Sequence, residues 1–280
     1  MDAESRLTNV DWFITNVCDQ AKHCGFCYAP WNAFPPDADE ETALKICDRI
    51  ADLNIRNVTL CGGEPTLFPH VTKIVHQMYT DGIRIVFYSS ITDAYDLNEV
   101  VNEIHTLSIP IDAVTPEIIN RMRGSDQTEG VHRAVSLIQK TGHTRPRVKV
   151  GTVVTIQNVE DIENIFHYLE GTGIVDVWRL YQFSPYGIGK HNAKRYLISN
   201  DQFHSAVIRL KELAKHSHIQ IAERDREDNS GYCRIMDSRG SFYRYEERYV
   251  PLNVTIFDEP DAILAGYDNI KNTRQKSWQE

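Results

Sequence analysis

The sequence predicts an α/β fold: a partial (β/α)6 TIM-like barrel with a short β-rich extension at its C-terminal end. Three observations predict it. Short apolar runs rich in β-branched and aromatic residues alternate with helix-length amphipathic stretches, in units of roughly 25–40 residues. Several of those stretches end in glycine, which suits a left-handed helix cap. The C-terminal stretch YCRIMDSRGSFYRYEERYVPLNVTIF then drops the helical period for turn-punctuated alternation.

In chain order, strands are expected at residues 12–17, 57–61, 83–89, 107–111, 148–155 and 175–183. Helices are expected between them at 39–53, 70–82, 95–107, 129–142 and 159–173, with Gly82, Gly142 and Gly171 as caps. A sixth helix, 199–217, opens on Ser199 or Asn200. Right-handed crossovers make the sheet parallel and put the helices outside. Residues 1–198 form the barrel core. Residues 199–280 add a helix and a β-rich capping extension to the same domain, its short antiparallel strands closing the barrel.

A chain of 280 residues, 41% hydrophobic, can bury a substantial core. No apolar run is long enough for a membrane helix, so no membrane partner is expected. The opening MDAESRLTNVDW is acidic and polar, unlike a signal peptide, so a cytoplasmic, reducing setting is expected. A net charge of −9 argues against a protein that coats nucleic acid, which needs a broad basic face. The local basic clusters Arg121/Arg123, Arg145/Arg147/Lys149 and Lys190/Lys194/Arg195 read as solvated surface.

Three of the six cysteines, Cys18, Cys24 and Cys27, fall in CDQAKHCGFC, just after the first strand. A structural zinc site wants four protein ligands, and His23 is poorly placed between two of these three. Three thiolates without a fourth suit an iron–sulfur cluster that keeps one iron open. The loop lies at the C-terminal mouth of the barrel, where such folds keep their chemistry. After the second strand comes CGGEPTL. Gly62 and Gly63 let backbone amides approach a ligand, Glu64 can accept a ligand ammonium, and Pro65 stiffens the turn.

With these two motifs one βα unit apart, the chain resembles the radical S-adenosylmethionine (SAM) superfamily over most of residues 10–235. The resemblance implies a [4Fe–4S] cluster on Cys18, Cys24 and Cys27 and SAM bound to its open iron. Gly62, Gly63, Glu64 and Pro65 would meet the methionine end, with Phe26 and Tyr28 near adenine. YSS supplies Ser89 and Ser90 toward the ribose. IDAVTPEIINRMRG follows strand four, while VTIQN and YQFSPYG bring Thr155 and Gln182 to the ends of strands five and six. The cysteine spacing here is C-x5-C-x2-C where the family commonly has C-x3-C-x2-C, which lengthens the loop without removing a ligand. A zinc-binding module is the non-enzymatic alternative.

The reaction is open between an isomerase and a lyase. Cys47 reads as helix core filler and Cys61 as strand packing. Cys233 stands alone, so it cannot hold a second cluster, but a lone thiol is a good hydrogen donor for an epimerase, with Tyr232 beside it. Viperin-like enzymes, which dehydrate nucleotides, are similar in the order of their C-terminal segments. That resemblance implies Arg179, Glu223 and Tyr232 on the substrate side, although ERD stands where the pattern has Glu-Ser-Asn. The epimerase is narrowly preferred. A small polar substrate is expected over the mouth, with Arg179, Lys190, Lys194 and Arg195 as its basic group, and an electron donor such as flavodoxin or ferredoxin.

Overall fold

The structure is a computed structural model that describes residues 7–21, 23–29, 34–91, 97–123, 128–141, 145–226, 235–245 and 249–268. Seven strands run in chain order as a parallel sheet: β1 (Asn9–Thr15), β2 (Asn57–Gly62), β3 (Arg84–Tyr88), β4 (Thr106–Pro110), β5 (Arg147–Val154), β6 (Val177–Gln182) and β7 (Gln220–Arg224). The helices between them are α1 (Glu40–Asp52), α2 (Val71–Thr80), α3 (Pro116–Met122), α4 (Thr128–Thr141), α5 (Ile162–Thr172), α6 (Gly187–His191), α7 (Ala193–Tyr196) and α8 (Asn200–Leu213). This is the expected partial-barrel architecture, one parallel strand longer than the sequence indicates. QIAER is short and polar enough to escape notice, yet it pairs with β6 from Val177↔Gln220 to Tyr181↔Arg224.

Three expectations are corrected. Residues 95–107 do not form a helix; the described part holds two 3-10 turns, 97–99 and 101–103, before β4. Buried Leu97, Val100, Val101 and Ile104 recur every three or four positions, a spacing that a 3-10 turn serves as well as an α-helix. The cap of α5 is Gly173 at φ +67°, and Gly171 lies inside that helix; Gly142 lies outside the described residues. The tail does not bridge the barrel's two edges. β8 (Ile235–Met236) runs parallel to β1, and β9 (Ser241–Tyr245) with β10 (Tyr249–Thr255) continues antiparallel beyond it, ahead of α9 (Pro260–Asp268). The tail thus pairs the exposed edge of β1, leaving β7 and β10 at opposite ends of the sheet.

Strand alternation separates two environments. Trp12, Leu60, Phe87, Leu107, Val150 and Trp178 are fully buried among the helices, and Trp178 Nε1 donates to Thr152 Oγ1 at 2.8 Å. Cys47 belongs to this core with Ala43, Ile46 and Ile50 on α1. The opposite parity faces the barrel interior. Ser199 caps α8 with a complete capping box to Gln202. Among the described residues no helix is long and apolar enough to cross a membrane.

Candidate active site

The cysteine loop is tied down before its first ligand candidate. Asp37 accepts from the Thr15 hydroxyl at 2.5 Å and from the Asn16 amide at 2.8 Å, fixing the exit from β1. The lengthened stretch then coils into turns, with the Cys24 amide donating to the Gln20 carbonyl and the Cys27 amide to that of Cys24. Cys24 is buried, Cys18 and Cys27 are half-buried, and His23 points to solvent. All three thiols line one cavity of about 340 Å³ at the barrel mouth. Burial pushes the Cys18 thiol up to about 12, so it needs a cation to become a thiolate. Three soft donors around one cavity suit a cluster.

Gly62 and Gly63 pack closely against neighbouring backbone. A Cβ on either would overlap the carbonyl of Thr15 or Val17, and Gly62 sits at φ +129°. The Gly63 and Glu64 amides donate to those same carbonyls at 2.8 Å. The glycines therefore let the turn lie directly on the backbone that leads into the cysteine loop. Glu64 is buried beside the cavity, and burial pushes its carboxyl up against the hydrogen bonds that steady it. Its Oε1 accepts from the hydroxyls of Thr66 and Ser89 at 2.8 and 2.7 Å, and Oε2 accepts from the Ser90 amide at 2.8 Å. Ser89 thus spends its hydroxyl on Glu64, while Pro65 opens the buried 3-10 turn that follows.

Arg123, read from the sequence as solvated surface, is one of the buried charges of the site. Its guanidinium grips Asp112 Oδ2 at 2.6 and 2.8 Å, donates to Cys24 Sγ at 2.9 Å and lies 5.0 Å from the centre of the Phe26 ring. Burial disfavours that charge, but Asp112 and Cys24 outweigh it and hold the group above its usual value. Phe26 is buried and also meets Tyr196 edge-on; Tyr28 is exposed against Phe13, and both line the cavity. The Tyr28 carbonyl accepts from Tyr249 of β10, so the tail covers the cysteine loop.

Deeper in the barrel, β3 to β6 turn polar groups inward. Tyr88, Ser108 and Lys149 are register partners on neighbouring strands, and Lys149 is only 7% exposed. Its ammonium donates to Tyr88 Oη at 2.6 Å, and Tyr88 Oη lies 3.3 Å from Tyr181 Oη. Arg179 shares the inner face of β6 with Tyr181, and Arg224 of β7 lines the cavity.

Other sequence-derived candidates fall elsewhere. Glu223 is exposed and paired with Lys211 at 3.0 Å; alternation gives the interior to its neighbour Arg224. Lys190 and Lys194 are exposed, as is Arg195, which donates to the Arg121 carbonyl at 2.6 Å. Thr155 is buried in a turn with Asn158 and is not among the cavity residues. Gln182 borders the cavity while its amide binds Asn200 at 2.9 Å and accepts from the Arg226 amide. Tyr232 and Cys233 lie outside the described residues.

The profile of the Radical SAM superfamily matches residues 12–169. A probable GTP 3',8-cyclase of Sulfurisphaera tokodaii is 26% identical over 184 residues, 64% of this chain and 56% of that protein, so the chain spans little over half of that relative. An S-adenosylmethionine-dependent nucleotide dehydratase of Flammeovirga pacifica is 24% identical over 220 residues, 72% of each. Among solved structures, anSMEcpe with bound AdoMet superposes with a TM-score of 0.67 at 14% identity, over 94% of this chain and 81% of that one. SuiB of Streptococcus suis bound to S-adenosylmethionine gives 0.66 at 13%, over 84% and 59%. Both share the fold. The chain belongs to the radical SAM superfamily, whose members carry a [4Fe–4S] cluster and SAM.

Proposed function

We propose that this radical SAM enzyme acts on a nucleotide and removes water from it. The carrying observation is the cationic barrel interior: Lys149 buried at 7% exposure, with Arg179 on the same inner wall and Arg224 at the cavity, in a chain of net charge −9. Asp11 supplies one carboxylate at this cavity, and the phosphates that a nucleotide brings would add further anionic partners for these cations. The two relatives are named for a GTP cyclase and a nucleotide dehydratase, and the dehydratase matches the larger share of its own length.

In this reading Cys18, Cys24 and Cys27 hold the cluster. Gly62, Gly63, Glu64 and Pro65 form the turn at the methionine end of SAM, with Glu64 taking its ammonium. The Arg123–Asp112 pair offers a cation to its carboxylate, and Phe26 and Tyr28 flank adenine. Ser89 and Ser90 act by orienting Glu64, and Gln182 by anchoring the end of β6. When bound, the cluster and SAM supply a 5′-deoxyadenosyl radical that takes hydrogen from carbon. The chain's residues orient the substrate carbon and exclude water.

The test is anaerobic reconstitution with SAM, a low-potential reductant and a panel of nucleotides and amino sugars, read by mass spectrometry. A nucleotide product lighter by one water, lost in Cys24→Ala together with the cluster's iron, is the expected result. Consumption of uncharged sugars with nucleotides untouched would overturn it. A product of unchanged mass carrying one solvent deuterium would instead favour the epimerase, with Cys233 as donor.

A further inference from the structure

Resting on the dehydration reading, we infer that Tyr181 is the proton donor to the departing substrate hydroxyl, recharged through Tyr88 from Lys149. The geometry is a short chain of exchangeable protons that ends at the cavity. Lys149 Nζ donates to Tyr88 Oη at 2.6 Å, Tyr88 Oη and Tyr181 Oη are 3.3 Å apart, and both phenols line the cavity. Gly151, between Lys149 and Val153 on the inner face of β5, leaves room for the Tyr181 ring: a Cβ there would stand 3.3 Å from Cε2. Ser108 lies between Tyr88 and Lys149 in register, is 1% exposed, lines the same cavity, and has no hydrogen-bond partner for its hydroxyl among the described residues. A buried polar group left unsatisfied costs about 1–3 kcal/mol. That orphan hydroxyl, next to the phenols, points to a polar substrate group met at this level of the barrel.

The electrostatics divide the two phenols. Burial raises both, but the charges of Lys149 and Arg179 and the hydrogen bond with Tyr88 bring Tyr181 down to about 8, while Tyr88 stays well above the usual phenol range. Asp11 of β1 acts on Tyr88 and Lys149 with the opposite sign, and Arg224 of β7 faces the cavity. Tyr181 is therefore protonated near neutral pH yet a readier acid than an ordinary phenol.

Once hydrogen has been taken from the neighbouring carbon, the C–O bond breaks and the oxygen leaves as water with the proton from Tyr181. One electron from a low-potential iron–sulfur or flavin protein completes the new carbon–carbon double bond. The Tyr181 phenolate regains its proton from Tyr88, Tyr88 from Lys149, and Lys149 from solvent.

The experiment uses the reconstituted enzyme and whichever nucleotide the wild type dehydrates. The readout is the ratio of dehydrated product to 5′-deoxyadenosine in the wild type, Tyr181→Phe and Lys149→Met. We expect Tyr181→Phe to lower that ratio by about 10²-fold, the lower end of what a positioned acid contributes. The wild-type ratio should fall as pH rises through about 8, because the donor must carry its proton, and that limb should vanish in the variant. A phenolate absorbance titration, which needs no turnover, guards against misfolding. One tyrosine should ionise near 8 in the wild type, be missing in Tyr181→Phe, and move upward in Lys149→Met. An unchanged ratio in Tyr181→Phe, or no tyrosine ionising below the ordinary range, overturns the assignment while dehydration itself stands. A wild type that releases no water from any nucleotide overturns both, and is recognised by the missing lighter product.

Discussion

The two halves of the sheet build the same cavity in different ways. On the β1–β3 side, the groups at the mouth sit on loops beyond strand ends: Cys18, Cys24 and Cys27 after β1, and Gly62 to Pro65 closing β2. On the β4–β7 side Asp112 and Arg123 lie beyond β4, but the rest are inward side chains along strands: Ser108, Tyr181 and Arg224 at the cavity, with Lys149 and Arg179 beside them on the inner faces of β5 and β6. The first half holds its geometry through backbone bonds, such as the Gly63 and Glu64 amides on the carbonyls of Thr15 and Val17. The second holds it through strand register. On the proposed function, the first half would hold the cofactor through fixed backbone, and the second would set the substrate through individual side chains.

The largest effect should come from attacking the backbone lock. Gly63→Ala places a methyl against the Val17 carbonyl, so the turn or the cysteine loop must shift. Overpacking of this kind costs roughly 1–3 kcal/mol, and here the displaced atoms lead directly to Cys18. Iron content after reconstitution and SAM affinity, by equilibrium dialysis, should both fall by an order of magnitude or more. Full loading in this variant would mean that the halves are not distinguished by backbone contact.

A smaller and more selective effect is expected from the other half. Arg179→Met removes one inward cation without altering the pairing of β6 with β5 and β7. A hydrogen bond to a charged group is worth about 1.5–3 kcal/mol, so the nucleotide KM should rise roughly 10–100-fold. Affinity for SAM should move far less. Equal losses for the two ligands would merge the halves into one site.

That contrast also explains what was legible in the sequence. The cysteines and Gly-Gly-Glu-Pro are local in the chain, so spacing alone announces them, and the parallel fold follows from alternating periodicities. The inward layer is non-local. Lys149 sits two residues after Arg147 and four after Arg145, and nothing in HTRPRVK separates the buried cation from its exposed neighbours until register is known. Parity was the available signal: Arg179 and Tyr181 alternate with buried Trp178 and Leu180, and the same count along QIAER selects Arg224 over Glu223. Arg123 had a weaker signal. It follows the short helix α3, which Pro116 opens, and only the fold brings it back to Cys24, 99 positions away. Cys233, the epimerase's expected hydrogen donor, lies outside the described residues.

The smallest effect probes how far the second half depends on its outer support. Ser199 caps α8 through the Gln202 amide, and the next residue, Asn200, receives the Gln182 amide at 2.9 Å. The helix start thereby steadies the end of β6, one residue beyond Tyr181. Ser199→Ala removes the cap and should cost about 1 kcal/mol. For a chain of this size that lowers Tm by roughly 2–4 °C, and Ser199→Asp should restore most of it. If β6 is positioned by register, the nucleotide KM should change by less than a factor of two in Ser199→Ala, well short of the change for Arg179→Met. If the helix start positions it, KM should rise with the fall in Tm and recover with Ser199→Asp. Measuring both quantities on both variants separates register from capping as the source of order in the half of the barrel that carries Arg179 and Tyr181.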